Sequence, residues 1–403
     1  MTNETAAGDQ QDGAVPFRSR RRTLVRAGVP LAVAAVIATG VGLVPALAAD
    51  SPPDLPAVSA EALVAKALGS DAQTLSGTVS VSTDLGLPGQ LLSGAGGLAA
   101  AAGHGGEQGK GSSADPQAKL LGLLGGDQTL RVAVDGPDRQ RVDLMENMAG
   151  YSLVRNGDQS WAWDSSTNSA VHLTGRPAGE HRPEAPLTGV PTTPQEAAKR
   201  FLTESAGTTS VTVAGTATVA GQKAYQLSVK PTQSGSTVAE VRISVAADNG
   251  VPLAVVVKST DGSTVLDVHF TEVSFAKPAA KTFDFTVPKG AKVTEQKADD
   301  AAKGHEAKAG AAKDHGGVNV IGEGWTAVVS TRLPAGEAKG DGKQGKHHGQ
   351  PVNPQALAKS LGKPVGGGTL ISTKVVNVLL TDDGRVFAGA VTLPVLQHAA
   401  GVN

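Results

Sequence analysis

Valine and leucine alternate with serine, threonine and charged residues along much of the chain, the two-residue period of strands that bury one face and wet the other. Residues 74–84, TLSGTVSVSTD, put Val79 and Val81 on one side and Thr78, Ser80 and Ser82 on the other. Residues 129–135 carry Val132 and Val134, and 141–144 carry Val142 and Leu144, with Gly136-Pro137-Asp138 turning between them. Residues 151–173, YSLVRNGDQSWAWDSSTNSAVHL, then read as a hairpin at Arg155-Asn156-Gly157 followed by a turn at 165–168. Two registers are open there. A two-residue turn at Asn156-Gly157 sets Ser152 opposite Trp161, whereas a three-residue loop with Gly157 left-handed sets Tyr151 opposite Trp161 and Leu153 on the same face. The second gathers Tyr151, Leu153, Trp161 and Trp163 on one apolar surface and is the expected register.

A second block of strands follows between 208 and 287. Its apolar positions are Leu227 and Val229, then Val241, Ile243 and Val245, then Val255 and Val257, then Val268 and Phe270. Val268 and Phe270 share one parity while Val273 and Phe275 share the other, so a bulge near Thr271-Glu272 is expected to return all four to one face and bend the strand. Helical signals are few and short. Ser59 opens SAEALVAKAL, Thr193-Pro194-Gln195-Glu196 forms a capping box before AAKRFL, and Asn353-Pro354 caps a segment ending at Gly362. Residues 324–333 read as a strand, and 369–380 with 385–393 as a hairpin around Asp382-Asp383-Gly384. Short turns between neighbours make the whole a mainly antiparallel β (α+β) protein.

Composition shortens the part that can fold. The 403 residues include 51 Gly and 23 Pro, and the runs at 85–127, 294–323 and 335–351 have no periodic apolar pattern. The first is expected as a low-complexity insertion, the second as Lys/Ala-rich coil and the third as a loop. Residues 1–26 form an expected disordered, Arg-rich tail on the cytoplasmic side. The uncharged run 27–49 is long enough to cross a bilayer and ends in Ala46-Leu47-Ala48, the small-x-small spacing of a signal-peptidase site. It is either a transmembrane anchor in the cytoplasmic membrane or the core of a signal peptide cleaved near Ala48; both export the rest of the chain. There is no cysteine, so no disulfide supports the exported fold. A net charge of −1 gives no electrostatic case for nucleic acid.

With these pieces in order, the chain resembles the LolA/LolB lipoprotein-carrier superfamily, which includes the RseB stress sensor and mycobacterial lipid carriers of the LprG and LppX type. The resemblance covers residues 57–293 less the insertion. It rests on ALVAKALGSDAQTLSGTVSV, LVRNGDQSWAWDSSTNSAVHL, YQLSVKP, VRISVAADNGVPLAVVVKS, LDVHFTEVSF and FDFTVPKGAKV in that order. It implies a half-open β-barrel with short covering helices, holding acyl chains of lipids or lipoproteins on the concave face. It also implies, in the RseB manner, a possible membrane-protein partner such as an anti-sigma factor. The mycobacterial members carry a lipid-accepting cysteine that this chain lacks. Residues 324–403 have no part in the pattern and are expected to add strands to the sheet.

The candidate groove follows from the alternation. Val79, Val81, Val132, Val134, Val142, Leu144, Leu153, Trp161 and Trp163 supply it from the first block. Leu227, Val229, Ile243, Val245, Val255, Val257, Val268 and Phe270 supply it from the second. Two long acyl chains represent about 25 kcal/mol of gross transfer energy, so many strands must contribute apolar positions. No catalytic motif, metal site or cofactor motif stands out, and His104, His305, His315, His347 and His348 fall in Gly- or Lys-rich stretches. His172 and His269 alternate with apolar neighbours and are expected on the polar face. The expectation is a non-catalytic, extracytoplasmic binder.

Overall fold

The computed structural model describes residues 52–86, 126–145, 150–175, 207–297, 319–332 and 362–402. Six strands run as an antiparallel meander: β1 (Thr74–Thr83), β2 (Gln128–Asp135), β3 (Arg139–Met145), β4 (Gly150–Asn156), β5 (Gln159–Asp164) and β6 (Ser169–Thr174). A second meander comprises β7 (Thr209–Val219), β8 (Gln222–Pro231), β9 (Val238–Ala246), β10 (Pro252–Ser259) and β11 (Thr264–Ser274). β11 pairs back on β1 and joins the two. β12 (Lys292–Lys297) lies parallel to β6, and the twelve-stranded order is β12-β6-β5-β4-β3-β2-β1-β11-β10-β9-β8-β7.

The sheet is open, with β12 and β7 at its edges. Its joint is the expected bulge. Pairing steps from Thr78↔Glu272 to Val79↔Phe270, which leaves Thr271 over and puts Val273 opposite Gly77 on the same face as Phe270. The bulge also explains Gly77, since a Cβ there would overlap the Glu272 carbonyl oxygen. At the other end, β7 comes back to within 8 Å of β11, although a flat sheet would hold them about 19 Å apart.

α1 (Ala60–Leu68) packs on β7 and β8. Ser59 caps it by accepting from the Ala62 N–H at 3.2 Å, and Leu63 and Ala67 face the sheet fully buried. The segment before it is held by Tyr225 Oη, which donates to the Pro56 carbonyl at 2.8 Å, and by Thr216 Oγ1, which donates to the Pro53 carbonyl at 2.9 Å.

The C-terminal strands do not complete this sheet. They form a second, six-stranded one from β13 (Asn319–Ile321), β14 (Val328–Arg332), β15 (Lys363–Val365), β16 (Gly368–Ser372), β17 (Asn377–Thr381) and β18 (Arg385–Gly389), in the order β13-β14-β18-β17-β16-β15. The reason is a core of their own: Val328, Leu379, Phe387 and Val391 pack with Leu396 and Ala400 of α2 (Leu393–Ala400). The expected strand over 369–380 breaks into β16 and β17 at Thr373, whose N–H and hydroxyl both donate to the Val376 carbonyl. The expected strand over 324–333 begins as a 3-10 turn, Gly324–Thr326. The expected coil from 294 begins inside β12.

Among the described residues, several contacts stitch the sheets together. Trp325 is buried, donating its Nε1–H to Thr209 Oγ1 and its backbone N–H to Gln233 Oε1, both at 2.9 Å. Ser236 bridges to Val391, Thr237 donates to the Val375 carbonyl, and Lys374 pairs with Asp84. Val375 and Ala390 thereby join the core of the first sheet.

The apolar run 27–49, most of the insertion 85–127, the segments after Thr193 and Asn353, and the loop 335–351 lie outside the described residues. Among the described residues no helix is long and apolar enough to cross a membrane.

Candidate apolar binding face

Register identifies which side chains share a face, because directly paired residues of antiparallel strands point the same way. From Val79 the row runs through Leu130 and Leu144 to Tyr151 on one side, and to Phe270 on the other. From Val81 it runs through Val268, Val255 and Ile243 to Leu227. A third row links Val132, Val142 and Leu153, and a fourth links Val257, Val241 and Val229. Val134 and Val245 fall on the same side. One apolar face therefore crosses both meanders, and every expected groove residue except the two tryptophans lies on it.

Coverage of that face is uneven. Val79, Leu227, Val229, Ile243, Val245 and Val257 are fully buried. Val134, Val142, Val171 and Val268 are only partly buried.

Trp161 and Trp163 are on the opposite face, which corrects their assignment to the groove. Asn156 pairs with Gln159, so the turn is Gly157-Asp158, with Gly157 at φ 65° in the first turn position. Neither register weighed from the sequence has this turn. It sets Val154 opposite Trp161 and Ser152 opposite Trp163, and moves both indoles away from Tyr151 and Leu153.

What Trp161 meets there is a strap. After β11 the chain crosses the back of the sheet to reach β12, and its 3-10 turn Ala280–Phe283 packs on β3 and β4. Phe283 is fully buried, and Arg141 Nη1 donates to the Thr282 carbonyl at 3.2 Å. Phe285 lies 5.2 Å from Trp161, and the other neighbour of Trp161 is His172, stacked at 3.7 Å with rings 7° apart. His172 Nδ1 is 2.7 Å from Glu295 Oε2 of β12, and its Nε2 is 2.6 Å from Gln159 Oε1. A signal existed in the sequence: Phe283 and Phe285 repeat the two-residue spacing of Trp161 and Trp163.

The polar face carries the ionisable groups. His269 Nδ1 sits 2.8 Å from Asp267, and that carboxylate raises the imidazole pKa against the opposing effect of burial. At Glu240 burial pushes the pKa up, but the Ser228 hydroxyl and Arg242 outweigh it and hold the carboxyl below its usual range. Asp261 accepts from the Ser259 and Ser263 side of its turn and is lowered to about 2. As expected, His172 and His269 share this face. Among the described residues no three His, Asp or Glu side chains gather to hold a metal ion. The apolar face can bind by exclusion of water, whereas the opposite face carries the ionisable groups and is partly covered by the strap.

No family model matches the chain, and no curated protein matches it in sequence. Solved structures do. The MucA/MucB complex of Pseudomonas aeruginosa matches at 13% identity over 85% of this chain and 96% of that one, with a TM-score of 0.43. A LolA superfamily protein of Nitrosomonas europaea matches at 12% identity over 57% of this chain and 99% of that one, TM-score 0.22. A putative outer membrane lipoprotein-sorting protein domain of Vibrio parahaemolyticus matches at 8% identity over 56% and 94%, TM-score 0.21. These neighbours are of the kind that the quoted segments resemble. This chain's own geometry is of an open antiparallel sheet with one apolar face, joined to a smaller sheet with a core of its own.

Proposed function

We propose that the protein is a non-catalytic, extracytoplasmic binder or carrier of lipids or lipoprotein acyl chains, with the apolar face as its site. One observation carries the reading. The face runs unbroken across both meanders, while the helix that the described residues lay on it is nine residues long and sits at the β7–β8 end. An acyl chain lying along the sheet would cover Val134, Val142, Val171 and Val268, which the protein leaves partly open. Residues 27–49 would hold the protein at the outer surface of the cytoplasmic membrane, or release it on cleavage near Ala48.

The test is mass spectrometry of an organic extract of the purified full chain, with uptake of a fluorescent fatty acid in parallel. Co-purified lipid and saturable uptake are expected; a lipid-free extract with no uptake would sink the proposal.

A second reading puts a segment of a membrane protein on this chain, as MucB is solved in complex with MucA. What favours it is the second sheet, for which acyl binding alone gives no use. It predicts a specific membrane-protein partner in crosslinking and a changed stress response on deletion.

A further inference from the structure

The covering of the apolar face begins almost where the apolar run 27–49 stops. Only Asp50, Ser51 and Pro52 separate Ala49 from Pro53, and the Pro53 carbonyl is already fastened to Thr216 of β7. Three residues on, Pro56 is fastened to Tyr225 of β8, and Leu55 and Val58 pack against the core of the large sheet. Ser59 then starts α1, whose Leu63 and Ala67 lie buried in that core. The far end of α1 is tied as closely. Lys66 Nζ donates to the Ala247 carbonyl, and Gly250 of the same β9–β10 turn comes so near that a Cβ on it would overlap the Lys66 carbonyl oxygen. Residues 53–68 and the turn end of β7–β10 therefore have little slack between them.

We propose that this α1–β7–β8 end of the apolar face rests on the outer leaflet of the membrane, and that the face is loaded from that leaflet while the protein stays in place. The inference rests on the membrane-held form of the carrier proposed above and adds where its cargo comes from. Its reason is reach. A chain advances at most about 3.6 Å per residue, so Pro53 lies within about 14 Å of Ala49. With residues 27–49 across the bilayer, Ala49 stands at the outer edge of the hydrocarbon, under a headgroup layer of about 5–7 Å. Pro53 is then at most about 9 Å above the headgroups, and the end of the sheet bonded to it goes with it. Leu68, 42% exposed, projects at this end, while the other exposed large hydrophobics among the described residues, Met145 and Val293, are on β3 and β12. Charge is mixed, Lys66 and Lys223 standing among Asp54, Glu61 and Asp248, so the contact does not require anionic lipid. From α1 the row Leu227, Ile243 and Val255 leads to the partly open Val268, three strand spacings or about 14 Å away.

The test uses the full chain reconstituted in vesicles of phosphatidylethanolamine and phosphatidylglycerol. The chain has no cysteine, so Leu68→Cys and Lys297→Cys can each carry a single fluorophore. Both positions are exposed, and Lys297 is on β12 at the other edge of the sheet. A quencher on the lipid headgroups should dim the label at Leu68 and spare the one at Lys297. A Gly/Ser insertion of about 20 residues between Ser51 and Pro52 lengthens the tether outside the fold. It should slow loading of a fluorescent fatty acid from the vesicle about tenfold and release the Leu68 label from the quencher. Uptake of the same probe in detergent solution should not change. Equal quenching at the two positions, or loading indifferent to the insertion, overturns the proposal, and unaltered uptake in detergent then leaves the carrier reading standing. A chain that alkaline carbonate strips from the membrane, or whose intact mass shows cleavage near Ala48, overturns it as well. Absence of uptake in detergent would instead sink the carrier reading, and this inference with it.

Discussion

Trp161 holds the strap at the back of the sheet, stacked on His172 and touching Phe285. Trp161→Ala should therefore destabilise the fold by about 2–3 kcal/mol in urea titration while leaving fatty-acid uptake unchanged. Val142→Lys places a charge at a partly open point of the apolar face and should do the reverse, reducing uptake severalfold at small cost to stability. If Trp161→Ala abolished uptake with the fold intact, the two faces would have been assigned the wrong way round. His269 gives the pH dependence. Its folded-state pKa is raised above 6.5 by Asp267, so its contribution is complete below that value and fades as pH rises through the folded value. His269→Gln should flatten that part of the stability curve, measured as urea midpoint against pH.

At the scale of elements, the decisive device is the bulge between β1 and β11. It was legible because Val268 and Phe270 stand out of step with Val273 and Phe275, and only an extra residue restores one apolar side. Gly77→Ala should cost about 1–3 kcal/mol, since a Cβ meets the backbone carbonyl of Glu272 and cannot displace it freely. α1 was legible for a similar reason, Ser59 standing as cap before an apolar stripe, and most strands of both meanders were read from alternation alone. The hairpin β4–β5 was not. Turn residues Asn156, Gly157 and Asp158 permit several loops, and a slip of one residue exchanges the faces of everything beyond. Preference for gathering aromatics on one side chose wrongly because the strap that covers them lies more than a hundred residues further along the chain.

In the whole molecule, two sheets with two cores are tied by Trp325, Thr237, Val375 and the Asp84–Lys374 pair. Trp325→Ala removes the largest side chain of that seam. It should split a single calorimetric transition into two, with the smaller sheet melting first. Retention of one transition would mean that the sheets do not depend on the seam.

The sequence by itself determined most strands of the two meanders, the wet and dry sides of those other than β5, the bulge and the first helix. Those follow from local rules: side-chain parity, capping and the need to keep apolar residues on one side. Tertiary structure decided which strand lies beside which edge, that the C-terminal strands stand apart, and that the tryptophans serve the back of the sheet. Each of these depends on contacts between segments far apart in sequence, such as Trp161 with Phe285 and Thr209 with Trp325, and local periodicity carries no record of them.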